Sequence, residues 1–111
     1  MKATTASAML ALSVTMASAE TDSANFWLPH CAATSVPPDK VGFAILIGEC
    51  RGMLAALGFT APRYGVCIPD DVTKGELRRV VIYYVTARPQ RHHELFMTLA
   101  MEAMQQAWPC R

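Results

Sequence analysis

The sequence predicts an all-α fold, a small disulfide-bonded bundle of about four helices. Apolar residues recur at helical spacing in several segments beyond the N-terminal stretch. Prolines and glycines divide these segments into short units. Four cysteines occur in a chain of only 111 residues. Because a domain of this size buries a small core, cross-links would supply much of its stability.

The first 19 residues have the organisation of an export signal. A short positive n-region, Met1–Lys2, precedes an apolar stretch at Ala3–Met16 and a small-residue cleavage site at Ala17–Ala19. We expect cleavage after Ala19, which leaves one domain of residues 20–111 in a bacterial periplasm.

The predicted mature chain carries no net charge, with nine basic and nine acidic residues when the histidines are neutral. This balance gives no overall positive field of the kind that drives nucleic-acid binding. The longest apolar run beyond the leader is 41–48, which is too short to cross a bilayer. We therefore expect neither nucleic-acid binding nor a membrane span.

Helix one is predicted at about residues 23–33, capped by Asp22 or Ser23. Pro29 falls near its middle, so the helix is short and irregular. A linker with two prolines follows at 34–38.

Helix two is predicted from a cap at Asp39 to about Leu57, with Gly58 ending it. Gly48 and Gly52 lie one turn apart on the same face, and each costs roughly 1 kcal/mol relative to alanine. Such a cost is offset where another backbone approaches closely. We expect another helix of the fold to pack against these two glycines.

Helix three has the clearest start, a capping box with Thr73 at the cap and Glu76 three residues later. Apolar residues then follow the helical period: Leu77, Val80, Val81, Tyr84 and Val85. The β-branched run at 80–82 would also suit a strand, but the cap and the period favour a helix. Its arginines are interpreted as a solvated face, with a cationic patch as the alternative.

Helix four is predicted to open near Pro89, which also breaks helix three, and to stop at Pro109. His92 and His93 would then form a polar first turn. Adjacent positions of a helix point about 100° apart, so this pair does not indicate a metal site. The apolar positions of the helix are Leu95, Phe96, Leu99, Ala100, Ala103, Met104, Ala107 and Trp108.

The cysteines allow three pairings, and the helix order favours one of them. The short turn at 88–91 makes helices three and four antiparallel neighbours, which brings Cys67 near Cys110. Cys31 would then pair with Cys50. The cysteine spacings match no common zinc motif, and no catalytic constellation stands out, so we expect no metal, no cofactor and no enzymatic activity.

Four motifs follow one another along the chain: G-E-C-R-G at 48–52, C-I-P-D-D-V-T-K-G-E-L at 67–77, R-P-Q-R-H-H at 88–93 and W-P-C at 108–110. The series resembles the Rap/Tai group of type VI secretion immunity proteins. That group shares a C-x-G-Y stretch, a C-x-P-x-x-V-T-x-G-Q-L stretch, a turn ending in R-H and an F-P-C end. Met53, Glu76 and Arg88 depart from the group's usual Tyr, Gln and His.

The resemblance implies a non-enzymatic periplasmic protein that binds and blocks a secreted peptidoglycan amidase effector. On this interpretation we expect the contact surface to comprise the loop after helix two and the turn between helices three and four: Tyr64, Arg88, Gln90, Arg91, His92 and His93. Whether the chain also pairs with itself is left open.

The alternative is a small disulfide-held periplasmic chaperone or stress protein that exposes apolar surface on acidification. Phe96, Met97 and Met101 would supply part of that surface.

Overall fold

The computed structural model describes residues 21–111; the predicted leader and its cleavage site lie outside the described residues. Four helices follow in order: α1 (Ala24–Ala32), α2 (Val41–Thr60), α3 (Lys74–Thr86) and α4 (Phe96–Ala107). Short 3-10 turns stand at Ala61–Tyr64 and Pro89–Arg91. Across residues 21–111 the only extended pairing is two isolated bridges, which confirms the all-α prediction.

The start of α1 is held by the segment that precedes α4. The Ser23 side chain caps α1 by accepting from the Phe26 amide at 3.3 Å. Three long-range backbone bonds then join the two segments: Ala24 N to Glu94 O (2.9 Å), Asn25 N to His92 O (2.8 Å) and Phe96 N to Asp22 O (2.9 Å). Because residues 92–95 are used in this way, helix four begins at Phe96, and its predicted start at Pro89 is wrong.

The bounds of α2 also differ from the prediction. Lys40, with no side-chain cap bond, precedes it in place of Asp39, and the helix continues through Gly58 to Thr60. A Cβ at position 58 would lie 3.2 Å from Leu77 Cδ1, so Gly58 permits close packing against α3. The chain turns instead at Gly65, whose φ of 76° is the left-handed conformation that glycine favours.

The core lies between α1, α3 and α4, with one face of α2 added to it. Helix α3 begins as predicted, since Thr73 Oγ1 accepts from the Glu76 amide at 3.1 Å. The fully buried large side chains are Phe96, Leu54, Leu99, Met104, Val66, Val81 and Val85.

Two disulfides cross-link the helices, and they join the cysteines in the two pairs that the helix order favours. Cys31–Cys50 ties α1 to α2 with a Cα–Cα distance of 5.5 Å. Cys67–Cys110 ties the loop before α3 to the chain after α4 with a Cα–Cα distance of 4.9 Å. The second bridge is flanked by a backbone bond from Cys110 N to Gly65 O at 3.0 Å.

The predicted close packing on Gly48 and Gly52 is absent from the described chain. A Cβ built at either position would have no atom within 4 Å. Helix α2 turns its opposite side to the core, where Ile47, Cys50 and Leu54 are buried. The expectation that another helix of the fold covers these glycines is therefore wrong.

Helix α2 is also more apolar than the uninterrupted run at 41–48 indicates. Val41–Tyr64 is 24 residues long and contains an 18-residue window with a mean hydropathy of 1.5, so by length and composition it is long and apolar enough to cross a membrane. The core helix of a soluble protein can meet the same criterion. Cys50 fixes this helix to α1, and Glu49 and Arg51 lie near its middle, where a bilayer disfavours charge.

Candidate protein-binding surface

A groove of about 520 Å³ runs along the face where α3 and α4 lie side by side. Helix α3 contributes basic and aromatic side chains to it, and α4 contributes small and polar ones. The groove residues used below are Arg79, Tyr83, Tyr84, Arg88, Ala103 and Gln106.

The α3 wall of the groove presents arginine and tyrosine to solvent. Tyr83 is 80% exposed. The Arg88 guanidinium carbon lies 3.5 Å from the centroid of the Tyr84 ring, and its Nη1 donates to Tyr84 O at 2.9 Å. Tyrosine and arginine are enriched in protein–protein interfaces, since each combines a large contact area with hydrogen bonding. The groove therefore has the composition of a protein-binding surface.

Arg91 is the centre of an ion-pair network that fixes the turn before α4. Its Nε donates to Glu94 Oε2 at 2.6 Å, and its Nη1 donates to Glu102 Oε2 at 2.7 Å. The Tyr84 hydroxyl donates to the same Glu102 oxygen at 3.1 Å. Hydrogen bonds from the Arg91 guanidinium lower the pKa of both carboxyls. The network thus joins the turn, α3 and α4.

We predict that replacing Arg91→Met destabilises the fold in a pH-dependent way. The folded-state pKa values of Glu94 and Glu102 lie below their ordinary value of 4.5. The stabilisation is therefore present above that value and is lost as the pH falls through the lowered pKa values. We expect a lower Tm than wild type at pH 7 and a deficit that shrinks steadily between pH 5 and pH 3. Thermal unfolding followed by circular dichroism measures both.

Arg79→Met is the matched control, because Arg79 is exposed and belongs to neither of the two salt bridges in residues 21–111. Its Tm difference from wild type is expected to be small at every pH. An Arg91→Met deficit that is the same at pH 3 and pH 7 would contradict the assigned role of the network.

His92 is held inside the turn and does not lie on α4. Its ring Nε2 donates to Val85 O at 2.7 Å, and its carbonyl accepts from Asn25 N. His93 and Gln90 are exposed beside it. The prediction that the two histidines form the first turn of helix four is therefore wrong.

Tyr64 lies at the other end of the α3–α4 pair. Its side chain is 59% exposed, and its carbonyl accepts from Gln105 Nε2 near the C-terminal end of α4 at 3.1 Å. The turn at 88–93 adjoins the N-terminal end of the same helix. Since α4 has 12 residues, about 18 Å separates the two ends. The structure therefore does not gather all of the predicted contact residues in one cluster.

Arg79 and Tyr83 fall outside the predicted contact set. They lie four residues apart on α3, so they project from one face of the helix, and both line the groove. Their period relative to the buried Leu77, Val81 and Val85 places them away from the core. This helical periodicity can be read from the sequence, and it is the signal that would have identified Arg79 and Tyr83 as residues of the solvent-facing side of α3.

Together, the fold and this surface define a small disulfide-bonded helical domain suited to binding another protein. Within residues 21–111, no group of three or more His, Cys, Asp or Glu side chains is placed to hold a metal ion.

Residues 23–110 match the Rap1a immunity proteins, and the chain belongs to that family. The Rap/Tai resemblance of the four motifs is thereby confirmed. No curated protein and no solved structure matches the chain significantly.

Proposed function

We propose that this chain is an exported, non-enzymatic immunity protein that binds and blocks a cell-wall amidase effector delivered by type VI secretion. Membership of the immunity family is the observation that carries the proposal. The two disulfides support export, because such bridges persist in oxidising compartments such as the bacterial periplasm. An immunity protein in the periplasm would be in the same compartment as the peptidoglycan that an amidase effector cleaves.

We assign effector binding to the α3–α4 groove and the adjoining turn. Arg79, Tyr83 and Arg88 present basic and aromatic groups there, and Gln90 and His93 are exposed in the turn that follows α3. These side chains would contact carboxylates and apolar rings of the partner.

Arg91 and His92 have a different role in this proposal. Both side chains are half-buried and hydrogen-bonded within the domain, Arg91 to Glu94 and Glu102 and His92 to Val85. They are positioning residues that hold the turn in a fixed conformation before the partner arrives. A preformed surface loses less conformational entropy on binding.

Tyr64 fits the same interface as a contact at its far edge. Standard protein–protein interfaces bury about 800 Å² on each partner, a patch about 30 Å across. The distance of about 18 Å between the ends of α4 lies within such a patch. One effector could therefore contact both Tyr64 and the groove.

Complex formation with a purified amidase encoded beside this gene tests the proposal. We expect a stable complex on size-exclusion chromatography, stoichiometric loss of peptidoglycan hydrolysis and no hydrolysis by the chain alone. A cell-wall amidase from an unrelated pathway is the control and is expected to remain active. Full amidase activity at saturating immunity protein, for every neighbouring amidase, would refute the proposed function.

The chaperone alternative has less support in the structure. Phe96 is fully buried and Met101 is half-buried, so of the three apolar residues chosen for that function only Met97, 38% exposed, lies at the surface. Protection of a model client from aggregation at low pH would be its signature.

A further inference from the structure

A cavity of about 290 Å³ lies between α2 and the first turn of α3, on a part of the surface that the proposed function does not use. We call it the α2–α3 cavity. Its volume is at the lower end of the range of roughly 300–1,000 Å³ found for ligand pockets, so it would hold a small molecule. The lining residues used below come three from each helix: Arg51, Leu54, Ala55, Lys74, Leu77 and Arg78.

The helical period explains why the cavity has an apolar floor and a cationic rim. Lys74, Leu77 and Arg78 occupy positions i, i+3 and i+4 of α3, so they share one side of that helix, and the three lining residues of α2 have the same spacing. The leucine of each set is buried, with Leu54 2% and Leu77 8% exposed. The basic side chains lie nearer to solvent, where they surround the opening.

The three cations of the rim have no carboxylate partner within residues 21–111. Both salt bridges of that part of the chain belong to Arg91, and none is formed by Arg51, Lys74 or Arg78. The one hydrogen bond of the rim side chains, from Arg78 Nη1 to Ala33 O at 3.4 Å, is to a neutral group. Positive charges around one space repel each other, and an anion bound among them would remove that repulsion.

The start of α3 adds to the positive charge of the rim. Lys74 and Gly75 are the first two residues of the helix, and both line the cavity. Thr73 accepts from the amides of Glu76 and Leu77, whereas the amides of Lys74 and Gly75 have no acceptor in the described chain. The helix dipole is also positive at this end. These effects supplement the side-chain charges and would not make a site without them.

The three charges and the apolar floor together select the chemistry of the ligand. A phosphate monoester carries close to two negative charges at neutral pH and has three terminal oxygens, so several cations can share it. Guanidinium groups bind phosphate through paired hydrogen bonds. A carboxylate would neutralise only one of the three charges. Leu54 and Leu77 would contact an apolar substituent on the same molecule.

We propose that the α2–α3 cavity binds a phosphate monoester with an apolar substituent, with Arg51, Lys74 and Arg78 around the phosphate and Leu54 and Leu77 beneath the substituent. The cavity and the α3–α4 groove have no lining residue in common. The chain can therefore hold this ligand and an effector at the same time, and the site does not rest on the proposed function.

Isothermal titration calorimetry of the purified chain with hexyl phosphate and with inorganic phosphate tests the site. We expect hexyl phosphate to bind roughly tenfold more tightly or better, since burial of two methylene groups is enough for that gain. Added NaCl should weaken its binding, because the rim is open to solvent. Hexanol has the same chain without the charge and should not bind. No binding of hexyl phosphate at millimolar concentration, or equal affinity for the two phosphates, would overturn the proposal.

Arg51→Gln tests the rim, because it removes one of the three charges from an exposed position. The affinity for hexyl phosphate should fall by roughly tenfold or more, the effect of losing one hydrogen bond between charged groups. Without ligand, the Tm of this variant should not fall below that of the wild type, because the rim cations repel each other.

Arg79→Gln is the matched control for Arg51→Gln. It removes the same charge from an exposed arginine that follows Arg78 directly in sequence but does not line the cavity. We expect its affinity for hexyl phosphate to equal that of the wild type. Equal weakening in the two variants would show attraction to the overall charge of the chain, and would overturn the proposal.

Ala55→Leu tests whether the apolar substituent enters the cavity. Ala55 lines the cavity from an exposed position of α2, so a larger side chain fills space there without changing any charge. Leucine is also a good helix former, and the Tm should stay close to that of the wild type. We expect the advantage of hexyl phosphate over inorganic phosphate to disappear. An unchanged advantage would contradict the placement of the substituent.

Vesicles distinguish the two sources of such a phosphate, a free ester and a lipid headgroup. Co-sedimentation with phosphatidic acid vesicles, lost in Arg51→Gln and absent with phosphatidylcholine alone, would support the site and assign the phosphate to a lipid. Binding of hexyl phosphate without vesicle binding would support the site and assign it to a free ester. None of these measurements contains an amidase, so failure of the cavity and failure of the immunity function are distinguishable.

Discussion

Replacing Cys67 and Cys110 by serine is expected to lower the free energy of unfolding by about 4 kcal/mol, a large share of the stability of a small domain. The bridge spans 43 residues of sequence and joins the loop before α3 to the end of the chain. Its loss frees a long loop in the unfolded state, and loop-closure entropy increases with loop length. Urea unfolding of the double variant, followed by tryptophan fluorescence, measures the change.

The Cys31–Cys50 bridge provides the comparison, since it spans only 19 residues. Chain entropy alone gives about 3 kcal/mol for this bridge, and two buried serine hydroxyls would add to the loss. Both double variants should therefore unfold at lower urea than the wild type. An unchanged urea midpoint for Cys67→Ser with Cys110→Ser would show that the second bridge does not stabilise the fold.

Replacing Tyr83→Ala is expected to weaken effector binding by roughly 30-fold or more, the effect of removing an aromatic hot spot worth about 2 kcal/mol. The side chain is 80% exposed, so its removal should leave the Tm close to that of the wild type. Isothermal titration calorimetry with the cognate amidase separates this affinity loss from any loss of fold.

Phe59→Ala is the matched control for Tyr83→Ala. Phe59 is an exposed aromatic residue of similar size that lies on α2 and outside the groove. We expect it to leave effector affinity unchanged. If Tyr83→Ala and Phe59→Ala both bound the effector like the wild type, the groove would not be the binding surface.

The parts of the fold that depend on contacts between residues close in sequence were predictable. The cap of α3 needs only Thr73 and the amide three residues later, and both lie in one turn. Residues 87–95 between α3 and α4 form a longer connection than the predicted turn, but they still return the chain alongside α3, and this antiparallel order brings Cys67 to Cys110.

The start of α4 was not predictable, because distant residues decide it. Pro89 is a suitable first residue for a helix, yet it opens only a 3-10 turn. The following residues bond to the start of α1, about 70 positions earlier in the chain, as in Phe96 N to Asp22 O. The sequence pattern around Pro89 carries no information about hydrogen bonds to residues so far away in the chain.

The glycines of α2 show where a local pattern misleads. The spacing of Gly48 and Gly52 predicts a helix packed against them, and that prediction is wrong, because the opposite face of α2 meets the core. The surface residues divide similarly: sequence places Arg91 and His92 at the turn, whereas only the structure shows their internal bonds. Burial and partners depend on tertiary packing, which a single sequence does not display.

Protection of living cells tests the immunity function most directly. Cells that export the cognate amidase effector to their periplasm are followed for lysis with the full chain, with a chain lacking residues 1–19, or with no immunity protein. The account predicts survival only with the full chain, because inhibition requires the folded, exported domain. Equal lysis with and without the full chain, at matched periplasmic levels of the effector, would contradict the account.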